Sequence, residues 1–221
     1  MLEFGPPPIT PPVRMDCELP RLHVVTPDRA DPAALETIAE VVEAGARCVQ
    51  VRLKSAPDRI KLWFVSEVVG LTRAAGALCL VDDRADLAAA AGAGGVHLGL
   101  DDLPPVFARA LLGPTAVIGA TARDPETARR LQDEGVSYLG VGPVYPSTTK
   151  RHGLPEPLGP AGVEKIAAAV DIPVIAISGI TVASVPELLA AGAYGVAAIA
   201  AIFGAADPAQ AVREFLGVLG S

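Results

Sequence analysis

From Arg21 onward the chain alternates short apolar runs with longer stretches of helical period, and it does so eight times. The apolar runs fall at residues 21–26, 47–54, 77–83, 94–99, 115–121, 137–143, 172–180 and 194–200. Between them lie helical patterns: one opening at Asp31 with Leu35, Ile38, Val41 and Val42 on one face, one carried by Ile60, Trp63, Phe64, Val68 and Leu71, and a short one at 86–93. Further stretches follow at 103–112, from Asp124 to Glu134, around Val163 and Ile166, around Val185 and Leu188, and at 207–219. Strands that alternate with helices at this spacing are parallel and joined by right-handed crossovers. Eight such units predict a single (β/α)8 TIM barrel over residues 21–221; a doubly wound open sheet satisfies the same alternation and is the structural alternative.

Composition fits that frame. A length of 221 residues suits one domain of barrel size, and 51 % hydrophobic against 4 % aromatic residues means a core of Ala, Val, Leu and Ile. Residues 1–20 read as a flexible Pro-rich tail, since the first fourteen carry five prolines and no periodic apolar face. A net charge of −7 speaks against a nucleic-acid or acidic-membrane surface, both of which need a basic footprint. The three cysteines, Cys17, Cys48 and Cys79, show no metal-ligand spacing. Cys48 and Cys79 lie in apolar runs, so buried thiols in a reducing compartment are expected. No signal peptide or uninterrupted membrane-length apolar run is present, which predicts a cytoplasmic protein, and apolar helix faces are compatible with a homodimer.

In a barrel the polar residues at the carboxyl ends of strands make the site. The second run offers Gln50, Arg52 and Lys54 at a spacing of two, which puts them on one face. Neighbouring cations there call for an anion. The third run ends in Asp82-Asp83, and the fourth leads through His97 to Asp101-Asp102. Carboxylates from adjacent strand ends suit Mg²⁺ bound to substrate phosphates; taken singly, Asp83 and Asp102 also read as helix caps. The loop after the sixth run, Pro146-Ser147-Thr148-Thr149-Lys150, supplies hydroxyls and an ammonium suited to phosphate. The seventh run ends in Ser178-Gly179-Ile180 and the eighth near Ile199-Ala200, where barrels often bind phosphate through backbone N–H groups.

The segments VQVRLK, LVDDRADLAAAAGAGGVHLGLDDLP, YLGVGPVYPSTTK, IPVIAISGI and AAGAYGVAAIAAIF resemble the thiamine-phosphate synthase family over nearly the whole chain from about Arg21. That family joins a hydroxymethylpyrimidine pyrophosphate to a thiazole phosphate, releasing pyrophosphate and giving thiamine phosphate. The resemblance implies a transferase with small-molecule substrates and Mg²⁺ as cofactor. It implies that Gln50, Arg52 and Lys54 hold the pyrimidine pyrophosphate, that Asp83 and Asp102 bind Mg²⁺, and that Thr121, where Ser is usual, donates to the pyrophosphate. Lys150 would contact the leaving pyrophosphate, so Lys150, Arg52 and Thr121 carry the chemistry. Ser147, Thr149 and the backbone at Gly179, Ile199 and Ala200 would face the thiazole phosphate, and His97 would lie near the pyrimidine.

The chain departs from the family at several places. Asp82 stands where Asn is usual, and an ionised Asp cannot donate to phosphate. A like charge at ~5 Å costs about 3 kcal/mol at an effective dielectric near ~20. Ala200 replaces a Ser, and Ser178 the first of a Gly pair. Two other readings share the fold. A thiazole tautomerase uses a His after strand five, where this chain has Arg123, which stays protonated. A non-catalytic sensor would bind thiazole phosphate without turnover.

Overall fold

The computed structural model of the chain describes residues 19–146 and 155–220. Eight strands, β1 (Leu22–Val25), β2 (Cys48–Val51), β3 (Leu78–Asp82), β4 (Gly95–Leu98), β5 (Val117–Ala122), β6 (Tyr138–Val141), β7 (Val174–Ile177) and β8 (Gly195–Ala198), pair in parallel, each with the next. β8 returns to β1 with His23 opposite Ala197, so the sheet closes and the open-sheet alternative is excluded. The helices are α1 (Pro32–Glu43), α2 (Asp58–Ala74), α3 (Ala85–Ala91), α4 (Pro105–Leu112), α5 (Pro125–Asp133), α6 (Gly159–Ala167), α7 (Val185–Ala190), α8 (Ala200–Phe203) and α9 (Pro208–Leu219).

Three helices start on the same Asp-Pro pair. Asp31, Asp124 and Asp207 each accept a backbone N–H from the first turn, and the proline that follows needs no N–H of its own there. Side-chain alternation along the strands then divides the core. Leu22 and Val24 face the helices, as do Val49, Val51 and Val96, whereas Val25, Cys48, Leu78, Leu80, Tyr138, Ile175 and Ala197 fill the barrel interior. Cys48 and Cys79 are buried free thiols, as expected, and burial pushes the Cys79 thiol up to about 12.

Several boundaries differ from the sequence reading; β7, for one, runs over Val174–Ile177 and not 172–180. β2 stops at Val51, short of Arg52 and Lys54. β3 stops at Asp82 because Asp83 turns into the left-handed region at φ 64°. α4 starts at Pro105 and not Leu103, since a residue before proline disfavours helical geometry. β8 ends at Ala198, and the unexpected short α8 follows. Leu19 and Pro20, grouped with the tail by sequence, belong to the described body, where Leu19 packs on the inner cluster and its carbonyl accepts from the Tyr194 hydroxyl at 2.7 Å. Among the described residues no helix is long and apolar enough to cross a membrane.

Candidate active site

The carboxyl ends of β2 and β3 meet on Asp82. Gln50 is buried, and its Nε2 donates to Asp82 Oδ1 at 2.8 Å. Lys54 Nζ reaches Asp82 Oδ2 at 2.9 Å and Arg52 Nε lies 3.9 Å from the same oxygen. Lys54 also pairs with Asp83. Burial by itself would lower the Lys54 pKa, but Asp82 and Asp83 outweigh it and hold the ammonium above its ordinary value. The residues predicted from the spacing of two therefore converge although the strand has already ended. They are held by groups the sequence reading passed over: Thr26 Oγ1 accepts from the Arg52 N–H at 2.9 Å, and Asp28 Oδ1 accepts from the Lys54 N–H at 2.7 Å. Thr26 and Asp28 follow β1 as polar residues follow the other strands, so the same rule could have found them.

Asp83 and Asp102 approach each other from the ends of β3 and β4. Burial, and then the neighbouring Asp83, raise the Asp102 pKa against the opposing bond from Gly99. Asp102 Oδ2 accepts the Gly99 N–H at 2.6 Å, and a Cβ on residue 99 would sit 2.9 Å from that oxygen. Neither carboxylate caps a helix: the residues ahead of α3 and α4 are Arg84 and Pro104, without a side-chain cap bond. The capping alternative is thus overturned. Among the described residues no group of three or more His, Cys, Asp and Glu side chains could hold a metal. A pair of carboxylates beside two cations suits Mg²⁺, which keeps most of its shell for water and phosphate.

Deeper in the barrel His97 Nδ1 lies 3.0 Å from the Tyr138 hydroxyl, and His97 Nε2 lies 3.1 Å from Thr121 Oγ1. Burial lowers the His97 pKa, and Asp82 and Asp83 oppose it. Thr121, predicted as a phosphate donor, is therefore tied directly to His97, and through His97 to Tyr138, a residue that the sequence reading did not single out. At the end of β7, Ser178 and Gly179 both have positive φ, 83° and 70°. A Cβ at residue 179 would lie 2.6 Å from Tyr145 Cβ, so glycine permits this turn to touch the β6 loop. Ile199 precedes α8 and Ala200 opens it, leaving first-turn N–H groups without intrahelical partners. Ser147, Thr149 and Lys150 lie outside the described residues.

Comparison with known proteins agrees with this geometry. Residues 22–202 match the family model described as thiamine monophosphate synthase. A thiamine-phosphate synthase of Salinispora arenicola is 50 % identical over 204 residues, covering 91 % of this chain and 98 % of that protein. A counterpart of the same name in Haloquadratum walsbyi is 42 % identical over 205 residues, covering 92 % of each. Among solved structures, thiamine phosphate pyrophosphorylase from Pyrococcus furiosus superposes with a TM-score of 0.81 at 36 % identity, over 90 % of this chain and 95 % of that one. A 3-hexulose-6-phosphate synthase, at 22 % identity and a TM-score of 0.67, shares the fold alone. With eight parallel strands closed around a polar mouth and such matches across its length, the chain belongs to the thiamine monophosphate synthase family.

Proposed function

We propose that the mouth of this barrel joins a hydroxymethylpyrimidine pyrophosphate to a thiazole phosphate, releasing pyrophosphate and giving thiamine phosphate. The observation that carries the reading is the convergence of Arg52, Lys54, Asp82 and Asp83 at adjacent strand ends, with Asp102 beside them.

Gln50, Arg52 and Lys54 bind the pyrophosphate, and Thr121 donates its hydroxyl to it. Asp83 and Asp102 would hold Mg²⁺, which would supply positive charge to the pyrophosphate when bound. Breaking the carbon–oxygen bond leaves negative charge on the leaving group. Arg52 and Lys54, already placed, stabilise that charge without reorganising. Lys150 adds a third cation at the leaving group on the ground of family resemblance, as Ser147 and Thr149 add donors for the thiazole phosphate. Gly179, Ile199 and Ala200 offer backbone N–H groups to the same phosphate. His97 lines the pyrimidine pocket. The electron-rich pyrimidine bears positive charge on its methylene carbon, and the thiazole nitrogen attacks it, so the protein supplies no nucleophile.

Asp82 is part of the same design. It occupies the cations in the free protein, and pyrophosphate must displace it from Lys54 and Arg52. The tautomerase reading is disfavoured by Arg123, whose guanidinium donates to the Gly142 carbonyl at 2.8 Å and the Glu156 carbonyl at 2.9 Å. It ties two loops together, and its donors are engaged by carbonyls. The buried thiols Cys48 and Cys79 agree with a reducing, cytoplasmic setting. The exposed apolar Val106, Phe107 and Leu111 on α4 agree with a homodimer, which sedimentation of the full chain would test.

The deciding assay incubates the full chain with both substrates and Mg²⁺ and follows pyrophosphate. Asp83→Ala and Lys150→Ala should each lower the rate by roughly 100-fold or more. Release left intact by both changes would overturn the assignment. Isomerisation of a thiazole carboxylate without any pyrimidine would point to the tautomerase, and binding without release to a sensor.

A further inference from the structure

Behind the phosphate-binding rim, the interior carries a short hydrogen-bonded line: the Tyr138 hydroxyl, His97, then Thr121 Oγ1. Two glycines make room for it. A Cβ on Gly119 would fall 2.1 Å from Tyr138 Cζ, and a Cβ on Gly140 would fall 2.6 Å from His97 Cε1. The sheet register aligns the same positions, Gly119 opposite Tyr138 and Thr121 opposite Gly140. The two rings stack with centroids 5.5 Å apart at 28°. They are set by packing as well as by hydrogen bonds.

We propose that Tyr138 is a positioning residue that fixes the proton of His97 on Nε2, and so turns the Thr121 hydroxyl proton toward the bound pyrophosphate. Tyr138 is buried and has one proton to give. Among the described residues its hydroxyl has one hydrogen-bond partner, His97 Nδ1. His23 lies on the other side of Tyr138, edge-on at 4.9 Å, and makes no hydrogen bond to it. If His97 carried its proton on Nδ1, that N–H would donate to Tyr138 and the buried phenolic proton would have no acceptor. An unmet buried donor disfavours that arrangement by roughly tenfold or more. With Nδ1 accepting from Tyr138, the neutral ring carries its proton on Nε2 and donates to Thr121 Oγ1. The Thr121 oxygen then has its accepting side occupied by His97, and its own proton is free for an anion in the mouth. Burial supports the neutral states on which this rests, raising the Tyr138 pKa and lowering that of His97.

The role of Thr121 toward pyrophosphate is that of the proposed function; the tautomer of His97 is independent of it, and the test separates the two. Nitrogen-15 spectra of the full chain labelled at histidine should show His97 with an unprotonated Nδ1 and a protonated Nε2. A protonated Nδ1 in the unmodified protein overturns the proposal without any variant having to fold. Adding inorganic pyrophosphate should move the Nε2 resonance, because a Thr121 hydroxyl polarised by an anion accepts more strongly from the ring. No movement on saturation overturns the coupling to the mouth while leaving the rest of the site untouched. In Tyr138→Phe the His97 ring should spread over both tautomers. Its kcat should fall by roughly tenfold, with KM for the thiazole phosphate unchanged. That loss should vanish in a Thr121→Val background, because both changes remove the same interaction. Equal losses in both backgrounds would show that Tyr138 acts only as a packing residue.

Discussion

His23 is fully buried on β1, and neither ring nitrogen has a hydrogen-bond partner among the described residues. Burial, with a smaller contribution from His97, pushes its pKa from 6.5 to about 3; the Pro20 carbonyl opposes the shift but is not in hydrogen-bonding geometry. The unfolded chain takes up this proton near pH 6.5, while the fold refuses it until about pH 3. Stability therefore falls as pH drops through that window, by up to about 1.4 kcal/mol per pH unit. His23→Phe keeps the edge-on contact with Tyr138 and removes the titration. Urea unfolding at about pH 7.5 and about pH 5 should show the acid loss of the variant smaller than that of the parent by roughly 2 kcal/mol. Asp82 is the second residue whose effect is set by charge. It lies against Lys54 and Arg52, at the position where the family resemblance implies a neutral amide. Asp82→Asn should lower KM for the pyrimidine pyrophosphate by up to roughly 100-fold, as about 3 kcal/mol of like-charge repulsion is removed. It should also cost about 1 kcal/mol of stability in the free protein, because two cations lose their partner. Steady-state kinetics and urea unfolding read the two changes separately; a raised KM would mean that Asp82 serves the ligand directly.

At the scale of elements, the helix starts marked by Asp-Pro were legible and strand ends were not. Asp-Pro at 31–32, 124–125 and 207–208 is a local signal, since the capping carboxylate and the N–H that donates to it lie three residues apart. A strand end depends on its neighbours: Asp83 leaves β3 in a left-handed conformation that no residue preference announces. The β6 and β7 ends show the consequence for the site. Tyr145 N donates to the Ser178 carbonyl at 3.1 Å, Ser178 Oγ donates back to the Tyr145 carbonyl at 3.2 Å, and the Tyr145 hydroxyl reaches Glu187 on α7. Ser178, at the position where the family resemblance implies the first of a Gly pair, thus carries a bond that glycine would lack, at a φ of 83°. Gly179 has no such latitude, for its missing Cβ is what lets the two loops touch. Gly179→Ala should destabilise the protein by about 1–3 kcal/mol through crowding and positive φ. It should also raise KM for the thiazole phosphate by roughly tenfold or more, with a smaller change for the pyrimidine pyrophosphate. Separate titration of each substrate in the kinetics tests this; equal shifts would place the Gly179 backbone away from the thiazole phosphate.

The whole molecule depends on a seam that no local pattern reveals. Counting units gives eight strands, but closure requires β1 to find β8 across almost the entire chain. Arg21, immediately before β1, makes that junction: its Nε donates to the Tyr194 carbonyl at 2.8 Å, its guanidinium lies 5.6 Å over the Tyr194 ring, and it reaches the Leu219 carbonyl at the end of α9. In the sequence Arg21 is one of 18 basic residues in a chain of net charge −7, and composition cannot separate it from a solvated surface charge. Arg52 and Lys54 were legible because alternation set them against apolar neighbours; Arg21 has partners 173 and 198 residues away. Its place also decides what its loss should do. The seam lies at the amino ends of the strands, opposite the mouth, where a barrel keeps stability separate from chemistry. Arg21→Ala should lower stability by about 2–3 kcal/mol, from the lost charge-assisted bonds and the lost contact with the aromatic face. At a temperature where the variant stays folded, its kcat should remain within about twofold of the parent, because Arg52, Lys54 and Asp83 are held by β2, β3 and the loop after β1. Arg21→Lys should recover little of the stability, since one ammonium cannot replace a planar guanidinium that bridges two carbonyls while lying over a ring. Thermal unfolding and kinetics on the same preparations test both halves; a fall in kcat as large as the fall in stability would mean that the seam sets the width of the mouth.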